Sequence, residues 1–148
     1  EYSSEQMFLL VADIESYPSF IPWCTAVKIK SRNDGKLRYS EIIDADMRVS
    51  FKIFREVFSS RVLLDPVSNE IIVEYLTGPF KFLYNKWVFT QSENGCLVNF
   101  YVEFEFKSKI MQRLIGVVFH EAMRRIVVSF EKQAAKLYKS DKKINFSN

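Results

Sequence analysis

The side chains able to do acid–base or nucleophilic chemistry are few in this sequence, and their spacing does not favour it. His120 is the sole histidine. It stands beside Glu121, an i, i+1 pair that diverges around a helix, whereas two ligands of one metal would sit at i, i+4. Any nucleophile–histidine arrangement must use His120 or do without one, and a helical histidine on the flank of an apolar face ordinarily packs. Asp44 with Asp46, and Glu103 with Glu105, are spaced by two, which puts each pair on one strand face where solvent accounts for them. No HExxH, GxSxG or glycine-rich phosphate loop occurs. Cys24 and Cys96 lie far apart with no CxxC spacing, so they read as ordinary reduced thiols. The expectation is a protein that binds and does not catalyse, with no catalytic cofactor and no metal.

What the chain holds in excess is apolar ring surface: 14 Phe, 7 Tyr and 2 Trp among 148 residues. Trp87, Phe89, Phe100, Phe104 and Phe106 fall on strand patterns, Phe20 and Trp23 on an early loop, and Phe119, Met123 and Ile126 on a helical pattern. Converging on one interior, such groups line a small-molecule pocket, which needs only a few polar groups to orient its occupant. Tyr75 and Asn85 are candidates for that role, each a polar group on an otherwise apolar strand face. The same residues could fill a solid core, and periodicity does not separate the two outcomes.

The elements that must position these groups are legible from spacing. Ser3 or Ser4 can cap a short helix with Glu5 in its first turn and Met7, Phe8, Leu10 and Val11 on its inner side. A second short helix or turn follows at Ile14 to Tyr17, closed by Pro18, and Phe20-Ile21-Pro22-Trp23-Cys24 reads as a rigid loop. From Ala26 the pattern turns to period two. Asn33-Asp34-Gly35 signals a hairpin, and strands are expected over Leu37 to Phe51, Arg55 to Leu64, Glu70 to Thr77, Phe80 to Gln91 and a last one through Val98, Phe100, Val102, Phe104 and Phe106. In the first of these, Ile43, Ala45, Met47, Val49 and Phe51 share one face.

The chain then changes period again. From about Lys109 to Lys139, Ile110, Met111, Leu114, Ile115, Val118, Phe119, Ala122, Met123, Ile126, Val127, Phe130, Ala134 and Leu137 recur at helical spacing. This predicts one helix roughly 45 Å long. The order of short helices, about six strands in meander and one long helix predicts an α+β fold, a curved antiparallel sheet wrapped around the C-terminal helix. The whole of 1–148 reads as a single domain, with no break or repeat.

The formal charge of +3 is not gathered into one patch. Lys139, Lys142 and Lys143 suit either a weak attraction to anionic lipid or RNA, or a solvated helix end. No run reaches the 18 or so apolar residues of a membrane span, so the chain is expected to be soluble or to lie on a surface.

The blocks Tyr2-Ser3-Ser4-Glu5-Gln6-Met7, Leu10-Val11-Ala12-Asp13 and Tyr17-Pro18-Ser19-Phe20-Ile21-Pro22-Trp23-Cys24 resemble the opening of the coenzyme Q-binding proteins of the polyketide cyclase/dehydrase and START-like superfamily. The likeness continues through Ser59-Ser60-Arg61-Val62, Gly78-Pro79-Phe80, Trp87-Val88-Phe89 and Phe104-Glu105-Phe106-Lys107-Ser108. It implies a helix-grip fold with an apolar cavity, and non-catalytic binding of ubiquinone or a similar polyprenyl lipid in support of respiration or quinone biosynthesis. Carried over by position, it marks Tyr17, Pro18, Phe20, Pro22, Trp23, Arg61, Gly78, Pro79, Phe80, Trp87, Phe104 and Phe106. Bacterial members described as ribosome-association toxins make the ribosome an alternative partner, through Arg124, Arg125, Lys132 and Lys136; a polyketide cyclase is the weakest reading, and DNA is not expected. The implied place is cytoplasmic, with transient contact at the inner face of a respiratory membrane, on the matrix side in a mitochondrion. Family members usually begin with a strand ahead of the first helix, so a chain that starts at Glu1 is expected to leave a sheet edge open.

Overall fold

The computed structural model describes residues 2–36, 38–51 and 54–145, with side chains described up to Tyr138. Helix α1 spans Ser4–Ala12. Ser3 is its N-cap: the Ser3 hydroxyl accepts from Gln6 N and the Gln6 side chain accepts from Ser3 N, both at 3.0 Å, a reciprocal pairing that satisfies two amides the first turn would leave open. A 3-10 turn at Ile14–Ser16 leads into a second short helix, α2, at Tyr17–Phe20. Pro18 therefore sits inside the first turn of a helix and does not close one, because a first-turn residue needs no amide donor and its fixed φ already suits the helix.

Six strands follow in simple succession: β1 Cys24–Asp34, β2 Glu41–Phe51, β3 Phe54–Asp65, β4 Glu70–Thr77, β5 Phe80–Ser92 and β6 Gly95–Phe106. They form one sheet ordered β1-β2-β3-β4-β5-β6, every pair antiparallel. Asn33 and Asp34 stay in the ladder opposite Ile42 and Glu41, so the first hairpin turns later than its Asn-Asp-Gly signal suggests, and β2 begins at Glu41. Leu37, the expected start of that strand, lies outside the described residues. At the β4–β5 turn Gly78 holds φ at 143°, and a Cβ there would come within 2.7 Å of the Phe58 Cβ; glycine answers both demands.

One long helix, α3, spans Lys109–Asn145. Its inner stripe is narrower than the sequence pattern suggests. Phe130 and Ala134 are buried, whereas Ile110, Leu114, Val127 and Leu137, expected on the greasy face, are exposed by between 38% and 72%. Residues along the middle of the stripe pack on the buried clusters of the sheet, and the shoulders of the apolar face stay exposed.

The interior divides in two. One buried cluster joins α1, the early turn, the middle strands and the C-terminal part of α3 through Phe8, Val11, Ile14, Ile43, Ile71, Phe89, Phe130 and Ala134. A second, formed by Phe80, Leu83 and Phe106, packs against Met111 and Ile115 near the start of α3. The helix is thus held at two places along its length.

Candidate functional site

Between those two anchor points the helix bridges a gap. A cavity of about 280 Å³ lies under it, floored by the concave face of the sheet and roofed by Ile115, Phe119, Ala122, Met123, Ile126 and Phe130. Period-two alternation supplies the floor: Ala45, Met47 and Val49 from β2, Phe54, Phe58, Ser60 and Val62 from β3, Leu83, Asn85 and Trp87 from β5, and Phe100, Val102, Phe104 and Phe106 from β6. The volume is close to the lower end of the range of ligand pockets, about 300–1,000 Å³.

Of the eleven residues singled out from sequence, the structure brings Trp23, Trp87, Phe100, Phe104, Phe106, Phe119, Met123 and Ile126 together on this cavity. Trp87 lies against Phe100 with ring centroids 4.3 Å apart, and Phe104 meets Phe119 across the sheet–helix gap at 5.7 Å. Trp23 packs edge-on to Phe51 at 5.2 Å, and its carbonyl accepts from Ser50 N at 2.8 Å, which fixes the loop that carries it to the end of β2.

Three of the eleven are placed elsewhere. Phe89 is only 2% exposed and packs edge-on against Phe8 of α1, so it lies in the main core beyond the cavity's end. Phe20 stands between Tyr17 and Phe130 and borders a separate surface cleft with Pro22, Arg124, Arg125, Val128, Ser129, Lys132 and Gln133. Tyr75 faces Phe80, and its hydroxyl accepts from Phe80 N at 3.2 Å, which ties down the Gly78 turn. Conversely, Phe54, Phe58, Ser60, Leu83 and Val102 line the cavity without having been singled out; continuing the period-two face of β2 across its neighbours would have found them.

The polar inventory of the wall is short. Tyr17 Oη donates to the Val11 carbonyl, and burial drives its phenol above the ordinary range. Burial pushes the Cys24 thiol up to about 11, against a smaller opposing pull from the Ala26 backbone. Neither group ionises near neutral pH. Asn85 presents a buried Oδ1 with no hydrogen-bond partner among the described residues. What this wall offers a guest is apolar contact, ring faces, the Ser60 hydroxyl and the Asn85 amide.

The acid pairs lie on strand faces away from the cavity. Arg61 donates to Asp44 through Nε at 2.8 Å and Nη2 at 3.0 Å, a fork-to-fork pairing that holds the Asp44 carboxyl below its usual range. Asp46 is held low first by the Ser59 hydroxyl and then by Lys30. Glu105 pairs with Lys81 at 3.1 Å, and Glu103 accepts from the Tyr101 hydroxyl at 2.6 Å. His120 is exposed on α3. Among the described residues no group of three or more His, Cys, Asp or Glu is placed to hold a metal ion, and no helix is long and apolar enough to cross a membrane.

Comparison with known proteins places this geometry in a wider group. Residues 1–131 match the family model described as polyketide cyclase / dehydrase and lipid transport. A ribosome association toxin, RatA, of Rickettsia prowazekii is 33% identical over 93% of this chain and 92% of its own length. A mitochondrial coenzyme Q-binding protein, COQ10 homolog B of Xenopus laevis, is also 33% identical over 93% of this chain, which spans 55% of that longer protein. Among solved structures, an 18 kDa protein of Caulobacter crescentus superposes with a TM-score of 0.77 at 33% identity, covering 93% of this chain and 92% of the other.

Proposed function

The chain belongs to the polyketide cyclase / dehydrase and lipid transport family, and from that membership we propose that it shelters ubiquinone or a related polyprenyl lipid in the cavity beneath α3, without turning it over. The observation that carries the proposal is the cavity itself: an apolar space of about 280 Å³ walled by rings from the sheet and the helix. An apolar cavity of about 150 Å³ holds one benzene, so this one accommodates a substituted ring or about two isoprene units. A longer tail continues outward past the half-buried Trp23, Met47 and Val49 at one wall and Phe119 and Met123 at the other. Uptake is driven by burial of prenyl surface, at about 25 cal/mol per Å². The relative named as coenzyme Q-binding supports the choice of lipid class. Delivery and loading would take place by transient contact at the inner face of a respiratory membrane. Protein purified from a quinone-producing host should release ubiquinone into an organic extract, identified by mass spectrometry. Repeated extracts containing no prenylated lipid would overturn the reading.

A second reading rests on a different surface. The cleft between Phe20 and α3 presents Arg124, Arg125 and Lys132, and relatives named for ribosome association match the chain over nearly its full length. An electrostatic contact with ribosomal RNA predicts cosedimentation with a ribosomal subunit that weakens steeply as salt rises. Absence of cosedimentation at low salt removes this reading and leaves the first untouched.

A further inference from the structure

Over its first three turns the outer side of α3 breaks two local rules. Val117 is 84% exposed, Ile110 72% and Leu114 38%, and their spacing of i, i+4, i+7 sets the three in one row. From Lys107 to His120 the sequence holds no acidic residue, while Lys107, Lys109 and Arg113 are all exposed. A helix start favours acids, because the open amides of its first turn carry partial positive charge; here the first residue is Lys109, and Arg113 follows one turn later. Among the described residues none of these three cations has a side-chain hydrogen-bond or ion-pair partner. Neither the apolar row nor the charge around it serves the fold.

The row also stands on a particular flank of the helix. Arg125, Ser129 and Lys132 border a cleft with Phe20 and Pro22, whereas Val127, Glu131 and Ala135 border one with Cys96 and Val98. Stepping back from Arg125 at helical spacing gives Glu121, Val118 and Leu114, so Leu114 lies toward the early loop, where half-buried Trp23 lines the cavity. A tail leaving past Trp23 and Phe119 emerges beside it. We infer that Ile110, Leu114 and Val117, ringed by Lys107, Lys109 and Arg113, seat the protein on an anionic bilayer, with the apolar side chains below the headgroups and the cations level with the phosphates. This rests on the lipid-binding reading above and adds to it the surface through which the guest is exchanged. A second copy of the chain would set these cations against their equals, and a nucleic-acid phosphate backbone would dehydrate neither Ile110 nor Val117. Anionic lipid answers both features, and so small a patch keeps the contact reversible, as exchange requires.

The test is flotation with vesicles of phosphatidylcholine alone and of phosphatidylcholine mixed with phosphatidylglycerol. The wild type should float with the anionic vesicles in preference to the neutral ones. Lys109→Gln/Arg113→Gln should bind the anionic vesicles about thirtyfold more weakly, roughly fivefold for each charge removed. Ile110→Gln/Val117→Gln should lose at least about tenfold on the same vesicles, a loss that remains when salt is raised. Both pairs should keep the wild-type thermal midpoint and take up a prenylated quinone in vesicle-free equilibrium dialysis as the wild type does, because none of the four residues lines the cavity. Equal flotation of the wild type with both vesicle types, or variants that float as the wild type does, overturns the inference, and with quinone uptake intact leaves the lipid-binding reading standing. A wild-type dimer that Ile110→Gln/Val117→Gln dissolves, or binding to a ribosomal subunit lost in that variant while flotation is kept, gives the face to another partner and likewise overturns it. No quinone uptake by the wild type overturns both. The wild-type comparison of the two vesicle types decides the matter alone should a variant fail to fold.

Discussion

Ala45 is the position at which the cavity can be closed from the sheet side. It is 4% exposed, stands on β2 between Ile29 and Ser60 in the register, and lines the space under α3. Ala45→Phe places one phenyl ring in a volume of about 280 Å³; since a benzene takes about 150 Å³ of such a cavity, roughly half the room is lost. A guest that needs the whole space must then leave about one five-carbon isoprene unit in water. At about 0.8 kcal/mol per buried methylene this forfeits about 4 kcal/mol, close to three decades in Kd. The ring meanwhile fills a void, so the thermal midpoint should hold or rise while lipid uptake collapses. Ala122→Phe, from the helix wall, should do the same from the opposite side. The assays are extraction with mass spectrometry and equilibrium dialysis against a prenylated quinone, read beside a thermal melt. Both variants melting at or above the wild-type temperature yet loading lipid with unchanged affinity would refute the assignment of this cavity as the binding site.

Three further outcomes follow from the same geometry. Phe130→Ala removes a ring that packs on Tyr17, Phe20 and Trp87, and should lower the free energy of unfolding by about 3–5 kcal/mol in urea titrations; a loss below about 1 kcal/mol, the mark of a site able to collapse, would contradict the anchoring role given to it. Asp44 and Asp46 are held below the usual carboxylate value of 3.8 in the fold, so their contribution is present in full above that value and is lost as the pH falls below it, through the lower value each has in the fold. The wild type should therefore lose stability below about pH 4 more steeply than Asp44→Asn, and identical acid profiles would remove Arg61–Asp44 as a contributor. Burial raises Cys24 from its ordinary 9.0 to about 11, which cuts its thiolate fraction at pH 8 about a hundredfold. Iodoacetamide should therefore modify the half-buried Cys96 well before Cys24, as read by peptide mass mapping; the reverse order would refute the burial assigned to Cys24.

Much of the architecture was written in local pattern. The strand at Glu70–Thr77 is delimited on both sides by turn chemistry, Asp65-Pro66-Val67-Ser68-Asn69 before it and Gly78-Pro79 after, and its observed bounds are those expected. Where signals were one-sided the reading slipped: Pro18 is compatible with ending one helix or opening another, and only the following residues' geometry decides. The site was legible to the same extent and for the same reason. Strand phase tells which face a residue takes, so Trp87, Phe100 and Phe104 were found; it does not tell how far along the strand the helix stands off. Phe89 shares the phase of Trp87 but falls under α1. Tyr75 and Asn85 were alike as polar groups on apolar faces, and they part only in the third dimension, where a turn amide engages one and no partner among the described residues engages the Oδ1 of the other.

The division of the core explains why a space should persist here when most interiors close-pack. Phe130 and Ala134 bind α3 to the main cluster, and Met111 and Ile115 bind it to the separate Phe80–Leu83–Phe106 cluster. A helix is stiff between two such supports, and the sheet below it is curved, so the intervening residues cannot settle onto the floor without breaking one support or the other. Collapse of the gap is thus opposed by the burial of both clusters, and filling it by a guest is opposed by neither. The same rigid helix separates the two surfaces on which the competing functions rest. Phe119, Ala122, Met123 and Ile126 face the cavity, whereas Arg124, Arg125, Val128 and Lys132 border the outer cleft. Charge reversal at Arg124 and Lys132 should accordingly abolish any association with a ribosomal subunit while lipid loading stays at the wild-type level, and Ala122→Phe should have the opposite effect. A single variant that abolished both while remaining folded would show that the two faces of α3 act together, contrary to the independence their geometry implies.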